Sequence, residues 1–248
     1  LYRAALDRLD KSYDVWDVSR EGEPSGQVLE HYQMVIWFTG ARESLSGAGP
    51  NASSEERLST YLDNGKCLLI SSQDYSGRQP TSFMSTYLGV GSIQQNRQHV
   101  VSATEGLFAP SQAYTLTYHF DNKSDTLSAD SSANVAFSGD KGTAALYKDG
   151  GYYRTAYFAF PLSALPEEAA REQIMLRFIE WCDDLHTGTL SGVILDKDSS
   201  RGIRQASVTA KNAQVERTES TNFGGEYRMV LPVGLYTMTV THPHYVSD

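Results

Sequence analysis

The stretch Asn64-Gly65-Lys66-Cys67-Leu68-Leu69-Ile70-Ser71-Ser72-Gln73-Asp74 constrains the fold of this chain more than any other. A helix-like run over residues 53–63 stops at Asn64-Gly65, the pair expected where a helix ends in a left-handed residue. Four apolar residues then follow without alternation, the pattern of a parallel strand buried on both faces. The strand opens into Ser-Ser-Gln-Asp, a polar crest at its carboxyl end. In open α/β sheets that end carries ligands and catalytic groups. Any chemistry in this part of the chain is to be sought there first.

The flanking sequence repeats the theme. Residues 34–40, Met-Val-Ile-Trp-Phe-Thr-Gly, read as a second buried strand, and residues 13–18 alternate like a short one. Leu1, Ala5, Leu6 and Leu9 share a helical face with no capping residue before it. Pro24-Ser25 opens a short helix over Val28, Leu29 and Tyr32. Ser53 or Ser54, with Glu56, makes an N-cap and first turn for the helix through Leu58, Tyr61 and Leu62. Strand and helix alternate at spacings that suit right-handed parallel crossovers, which predicts an α/β, doubly wound, mainly parallel sheet. A helix follows over 80–88. Short strands are then expected at 99–103, 114–120, 134–137, 143–147 and 153–160, with Asp149-Gly150-Gly151 as a hairpin turn. Leu165-Pro166-Glu167-Glu168 starts the last helix, with acids at its positive end and Ile174, Leu176, Phe178, Ile179 and Trp181 on its apolar face.

Thr187-Gly188-Thr189 reads as a linker, after which the period becomes two. Strands are expected at 190–195, 206–210, 226–231 and 235–240, separated by clusters such as Asp196-Lys197-Asp198-Ser199 and Asn222-Phe223-Gly224-Gly225. Regular short strands with such turns predict a small β-sandwich. The division is therefore 1–186, an α/β domain, and 187–248, an all-β sandwich.

Charge separates the two parts. The net charge of −9 lies wholly in the first 186 residues, because the remainder holds six basic and six acidic side chains. An acidic body without a basic stripe argues against nucleic acid as a partner. No apolar run reaches 18 residues, so no membrane span is expected. Asn51-Ala-Ser53 and Asn122-Lys-Ser124 match the glycosylation sequon, and the Tyr, Ser, Thr and Gly usage leans towards a secreted, extracellular or cell-surface protein.

Two resemblances add to this reading. The tail resembles the carboxypeptidase regulatory-like module, a transthyretin-like sandwich. It does so through Leu190-Ser191-Gly192-Val193-Ile194, Ile203-Arg204-Gln205-Ala206-Ser207-Val208, Thr221-Asn222-Phe223-Gly224-Gly225-Glu226-Tyr227 and Leu231-Pro232-Val233-Gly234-Leu235-Tyr236. Gln205 departs from the small turn residue usual there. The body resembles the class I glutamine amidotransferase-like fold, of flavodoxin-like layout, in the non-catalytic form found within large secreted bacterial proteins, often peptidases. Tyr13-Asp14-Val15-Trp16, residues 35–40, Tyr61-Leu62-Asp63-Asn64-Gly65 and Tyr157-Phe158-Ala159-Phe160-Pro161 carry that likeness.

The second resemblance implies where a nucleophile would stand: at Ser71, or at Ser72 if the register is shifted by one. The His-Pro-Glu of active members aligns with Phe160-Pro161-Leu162, so base and orienting acid are replaced by apolar groups. His99 or His119 would have to swing in from elsewhere. No catalytic residue is therefore assigned, with Ser71 and Ser72 as the candidates to be tested, and no cofactor is expected. His242 and His244 are the candidates for a metal, with Asp248; the simpler reading is exposure near the chain end. Asp196-Lys197-Asp198-Ser199 lacks the Gly and distal Glu of a calcium loop and reads as a turn. Cys67 and Cys182 both fall at the level where strands begin. A bridge between them suits an oxidising compartment, and two buried free thiols are the preferred alternative.

These readings converge on a non-catalytic accessory, structural or binding region of a larger secreted protein, an exported peptidase or other hydrolase. The alternatives are glycan binding through the sandwich, with Tyr227, Tyr236 and Tyr245 as candidates, and an active amidase or hydrolase using Ser71 or Ser72. Because such a doubly wound domain normally begins with a strand before its first helix, and the sandwich family adds a closing strand, a further expectation is strand complementation. The missing strands would come from the rest of a larger chain or from neighbouring copies.

Overall fold

The computed structural model describes residues 2–42, 47–103 and 105–245. Cys67–Ser71 (β2) is a strand whose five residues are all buried, as its unbroken apolar run demands. Met34–Phe38 (β1) pairs with it in parallel, and so does Arg154–Phe158 (β9) on its other side. The helix Ala52–Asp63 (α4) precedes β2. Its cap is Asn51 and not the expected Ser53 or Ser54, because the Asn51 side chain reaches the Ser54 N–H. Ser82–Leu88 (α5) ends at Gly89, which takes the left-handed conformation at φ 68 and so turns the chain into the next strand.

Beyond β9 the sheet is mixed, and the mainly parallel, doubly wound layout is not confirmed. Gly142–Asp149 (β8) runs antiparallel to β9, and Asn134–Gly139 (β7), Val100–Ser102 (β4) and Tyr114–Thr115 (β5) follow outward. Thr126–Ala129 (β6) pairs with β8 and with Val90–Gln94 (β3). Short strands joined by tight turns can only pair antiparallel, since a parallel return needs a crossover of a dozen residues. The expected strand at 114–120 shrinks to two residues, and β3 and β6 were not foreseen.

The first helix is Tyr2–Arg8 (α1). The strand expected at 13–18 does not form. Those residues run irregularly into a short helix, Val18–Glu21 (α2), capped by Asp17, and Gly26–Glu30 (α3) comes next. Alternation alone does not make a strand where no neighbouring strand offers backbone partners. Glu168–Asp183 (α6) closes the body and packs with α1 on one face of the sheet; α3, α4 and α5 cover the other. Odd and even residues of β2 divide accordingly. Cys67 and Leu69 join Phe158, Phe160 and Phe178, whereas Leu68 and Ile70 join Leu58, Leu62 and Tyr157.

Cys67 and Cys182 are joined in a disulfide with Cα atoms 6.2 Å apart, so the preferred reading of two free thiols is corrected. α6 runs antiparallel to the strands, and its last turn meets the amino end of β2.

The tail is two small sheets: Thr187–Val193 (β10) with Glu226–Pro232 (β13), and Glu216–Ser220 (β12), Ser207–Lys211 (β11) and Thr237–Thr241 (β14) in that order. The supposed linker at 187–189 is the first part of β10, and β12, with no apolar residue, was not foreseen. The sandwich sits below the amino ends of the strands. Arg217 donates to the Asp63 carbonyl at 2.9 Å and lies 4.3 Å over the Tyr152 ring, and Arg228 donates to the Asn64 side chain at 3.0 Å. Gly65, at φ 80, allows this approach: a Cβ there would lie 2.8 Å from Val230 and 2.9 Å from Thr187.

Candidate functional site at the carboxyl end of the sheet

β2 delivers Ser71 to the crest, where it is fully buried. Its Oγ accepts from the Tyr2 hydroxyl at 2.9 Å and from the Leu162 N–H at 2.8 Å, and donates to the Phe160 carbonyl at 3.4 Å. Burial raises the Tyr2 hydroxyl well above the usual phenol range, so it stays protonated and remains the donor. The stretch 160–162 therefore does meet this serine in space, through backbone groups. Phe160 and Leu162 are buried in the core beside it.

Ser72 is buried as well. Its Oγ accepts from Thr39 Oγ1 at 2.9 Å and donates to the Ala48 carbonyl, with a second contact to the Gln73 carbonyl at 3.2 Å. Among the described residues, neither serine hydroxyl is bonded to a histidine, aspartate or glutamate side chain. His99 lies on the surface against Asp140, and His119 is exposed. Neither imidazole touches either serine. The crest joins helix, strand and loop: Ser71 ties α1 to the loop after β9, and Ser72 ties the end of β1 to Ala48.

Sequence reasoning placed Gln73 and Asp74 in the crest but missed the groups they meet. Gln73 is buried, donates to the Asp121 carbonyl at 3.2 Å and accepts from the Lys123 N–H at 2.9 Å. Asp125 is buried beside it, and its Oδ2 accepts from the Asp74 N–H at 3.1 Å. Among the described residues, Asp125 Oδ1 and the Tyr157 hydroxyl are buried without hydrogen-bond partners. Burial, reinforced by the charge of Asp74, pushes the Asp125 carboxyl up to about 7. Tyr157 is raised further by burial and stays neutral, and Tyr75, edge-on to it at 5.9 Å, donates to Glu55 at 2.9 Å. The arrangement can hold one proton near neutrality, but it is packed inside. Asp125 and Tyr157 stand 32 positions apart, and nothing in their local sequence marks the pairing.

In the sandwich, the His244 N–H donates to His242 Nδ1 at 3.2 Å, and the two rings stand 5.6 Å apart. One of the four ring nitrogens is thus already engaged. No group of three His, Cys, Asp or Glu side chains is placed to hold a metal among the described residues, and Asp248 lies outside them. Asp196 accepts from the Ser199 N–H at 2.7 Å and from its hydroxyl at 2.6 Å, which is turn chemistry. Tyr227 and Tyr236 pack on the sandwich core, and Tyr236 donates to the Pro232 carbonyl at 2.8 Å. Tyr245 is exposed, on a concavity of about 550 Å³ lined also by Ile194, Leu195, Met238, Val240 and His242. No helix in the described residues is long and apolar enough to cross a membrane.

Comparison with solved structures finds distant likenesses to several kinds of protein. A putative subunit of GMP synthase from Thermoplasma acidophilum is 13% identical, with a TM-score of 0.51 over 73% of this chain and 85% of that one. The cytoplasmic protein STM3548 from Salmonella typhimurium is 12% identical, with a TM-score of 0.49 over 72% and 84%. An exo-β-1,4-mannosidase from Opitutaceae bacterium strain TAV5 is 12% identical, with a TM-score of 0.43 over 72% of this chain and 29% of that one. Such a mixed set does not support the glutamine amidotransferase-like resemblance over any other. No curated protein matches the chain in sequence. The tail is different: the family model of the carboxypeptidase regulatory-like domain matches residues 189–248. Over residues 189–248, the C-terminal part of this chain is a carboxypeptidase regulatory-like domain.

Proposed function

We propose that this chain is a non-catalytic region of a larger exported protein, in which the α/β body is a docking or structural unit and the sandwich its accessory module. One observation carries the reading: both crest serines are buried and their hydroxyls are held by the chain's own groups. Fold likeness at this distance supports a shared architecture and says nothing of chemistry. The Cys67–Cys182 bridge favours an oxidising compartment, and so an extracellular or cell-surface location. That the parent is a peptidase or other hydrolase rests on fold and family likeness alone.

The test is a screen of the purified 248-residue chain against ester, amide and glutamine substrates, beside the Ser71→Ala and Ser72→Ala variants. No turnover above background is expected from any of the three. Turnover by the wild type that either substitution abolishes would restore the hydrolase reading. A glycan array addresses the carbohydrate alternative, where binding lost in Tyr245→Ala would move the function to the sandwich.

A further inference from the structure

We propose that the free edge of β1 is an acceptor for one extended, apolar polypeptide segment that does not belong to a second copy of this chain. The inference rests on the docking reading above and gives it a place and an occupant. In a parallel pair, alternate residues of a strand turn both backbone groups to the same neighbour. Two bonds fix the phase here: the Cys67 N–H donates to the Gln33 carbonyl at 3.1 Å, and the Thr39 N–H to the Ser71 carbonyl at 3.3 Å. Residues 33, 35, 37 and 39 therefore face β2. Met34, Ile36 and Phe38 turn their N–H and C=O groups the other way, where no described strand stands.

The side chains say what should lie there. β1 is Met-Val-Ile-Trp-Phe, apolar on both faces like the buried β2 beside it, yet none of its residues is fully buried and Phe38 is half exposed. Natural edge strands carry Lys, Pro or a bulge to refuse partners, and this edge has none of them. The paired donors and acceptors call for a peptide backbone, which neither a lipid nor a glycan supplies in that spacing. Apolar residues on both faces call for an apolar strand.

The surroundings set the width. α1 lies on one face of the sheet, where Tyr2 stacks on Phe38 with ring centroids 4.2 Å apart, and α3 lies on the other. The chain between them passes round the β1 side. Lys11 pairs with Asp183 at the floor, Asp14 accepts from Tyr32 at 2.7 Å just before β1, and Glu23 reaches Asn51 and Ser54 at the crest. This strap leaves Val15, Trp16 and Val18 exposed. A second copy brought edge to edge would meet this strap before β1, so the occupant is a single strand rather than the edge of a whole domain.

The test uses the 248-residue chain and a fluorescein-labelled, lysine-flanked peptide with a core of alternating Val and Ile; the same peptide with a central Pro is the control. Fluorescence anisotropy should report binding of the first peptide and not of the second. Amide exchange followed by NMR should show Met34, Ile36 and Phe38 exchanging freely in the chain alone and slowing about tenfold or more with peptide, while Val35 and Trp37 stay slow throughout. Ile36→Pro, which removes one outward donor, should weaken binding about fivefold or more. Should that variant not fold, Phe38→Lys at the exposed end should weaken it likewise. The proposal is overturned by unchanged anisotropy up to the solubility limit of the peptide, or by protection of the Met34, Ile36 and Phe38 amides in the chain alone. A concentration-dependent dimer that Phe38→Lys dissociates overturns it too, since a second copy would then fill the edge. A silent substrate screen with no peptide binding refutes this proposal alone; Ser71-dependent turnover refutes the docking reading alone.

Discussion

The body and the sandwich solve the same problem with very different means. The body buries aromatic-rich clusters on both faces of its sheet, with Phe108, Phe137, Phe158, Phe160 and Phe178 on one and Tyr61, Phe83 and Tyr157 on the other. The sandwich core is Val208, Ala210, Met229 and Leu231, while Phe223, Val233 and Leu235 stand exposed. A domain of about 60 residues with so small a core is marginal by itself. Its contact with the body through Arg217 and Arg228 is therefore expected to matter more to the sandwich than to the body. All three tryptophans, Trp16, Trp37 and Trp181, lie in the body, so their fluorescence follows that half alone. Amide exchange can follow the other.

The largest effect that would sharpen this contrast comes from the disulfide. Cys67 and Cys182 lie 115 positions apart. Closing a loop of that length removes unfolded-state entropy worth about 4–5 kcal/mol in the chain-entropy account. The Cys67→Ala/Cys182→Ala double variant should lower the denaturant midpoint read by tryptophan fluorescence by a corresponding amount. Exchange in β11 and β12 should change much less. Equal losses in both halves would show that they unfold as one unit.

Next in size is a pH effect confined to the body. Asp125 has its carboxyl pushed up to about 7 by burial, with Asp74 adding to the shift. A group raised above its unfolded value contributes stability that is fully present below about pH 4 and is lost as pH rises through about 7. The slope is at most about 1.4 kcal/mol per pH unit, reaching on the order of 4 kcal/mol across the window. Asp74 and Tyr157 are the titratable groups that act on it, and Tyr157 stays neutral throughout. Asp125→Asn should flatten the profile between about pH 4 and 8. An unchanged profile in that variant would remove Asp125 as its source.

How much of this was legible follows from where each signal is stored. β1, β2 and α4 were readable because unbroken apolar runs and a helix stop are local facts about the chain. β3, β6 and β12 were not: Val-Gly-Ser-Ile-Gln, Thr-Leu-Ser-Ala and Glu-Arg-Thr-Glu-Ser become strands only through their neighbours. Residues 13–18 show the converse, an alternating pattern that pairs with no described strand. The serines of the crest were readable from the strand that delivers them. Asp125 and Tyr157 were not, since their burial together is a product of the whole fold.

Arg217 tests the dependence of the sandwich on the body directly. Its guanidinium is bonded to Glu219, to the Val230 carbonyl and to the Asp63 carbonyl, and it covers Tyr152. Hydrogen bonds to charged groups contribute about 1.5–3 kcal/mol. Arg217→Ala should speed exchange in β12 and β13 by about tenfold or more while leaving the tryptophan midpoint within about 0.5 kcal/mol. A shift in the tryptophan midpoint as large as the sandwich effect would break the comparison, because the body would then depend on the contact too.

The smallest effect concerns one place where the tail departs from its family wording. Gln205 stands in a turn with φ 60, a left-handed conformation that costs a side-chain-bearing residue about 1–2 kcal/mol relative to its right-handed alternative. Its backbone N–H is held by the Thr221 carbonyl at 3.0 Å, and the neighbouring Ala206 N–H by the Thr221 hydroxyl at 2.9 Å. The turn is therefore fixed by groups that a glycine would keep. Gln205→Gly removes the Cβ strain but adds freedom to the unfolded chain, which returns part of the gain. A net rise of about 0.5–1 kcal/mol in sandwich stability is expected, read as slower exchange in β11 with no movement of the tryptophan midpoint. A loss of stability instead would mean that the Gln205 side chain makes a contribution larger than its strain. The sandwich would then depend on a surface residue more than its small core suggests.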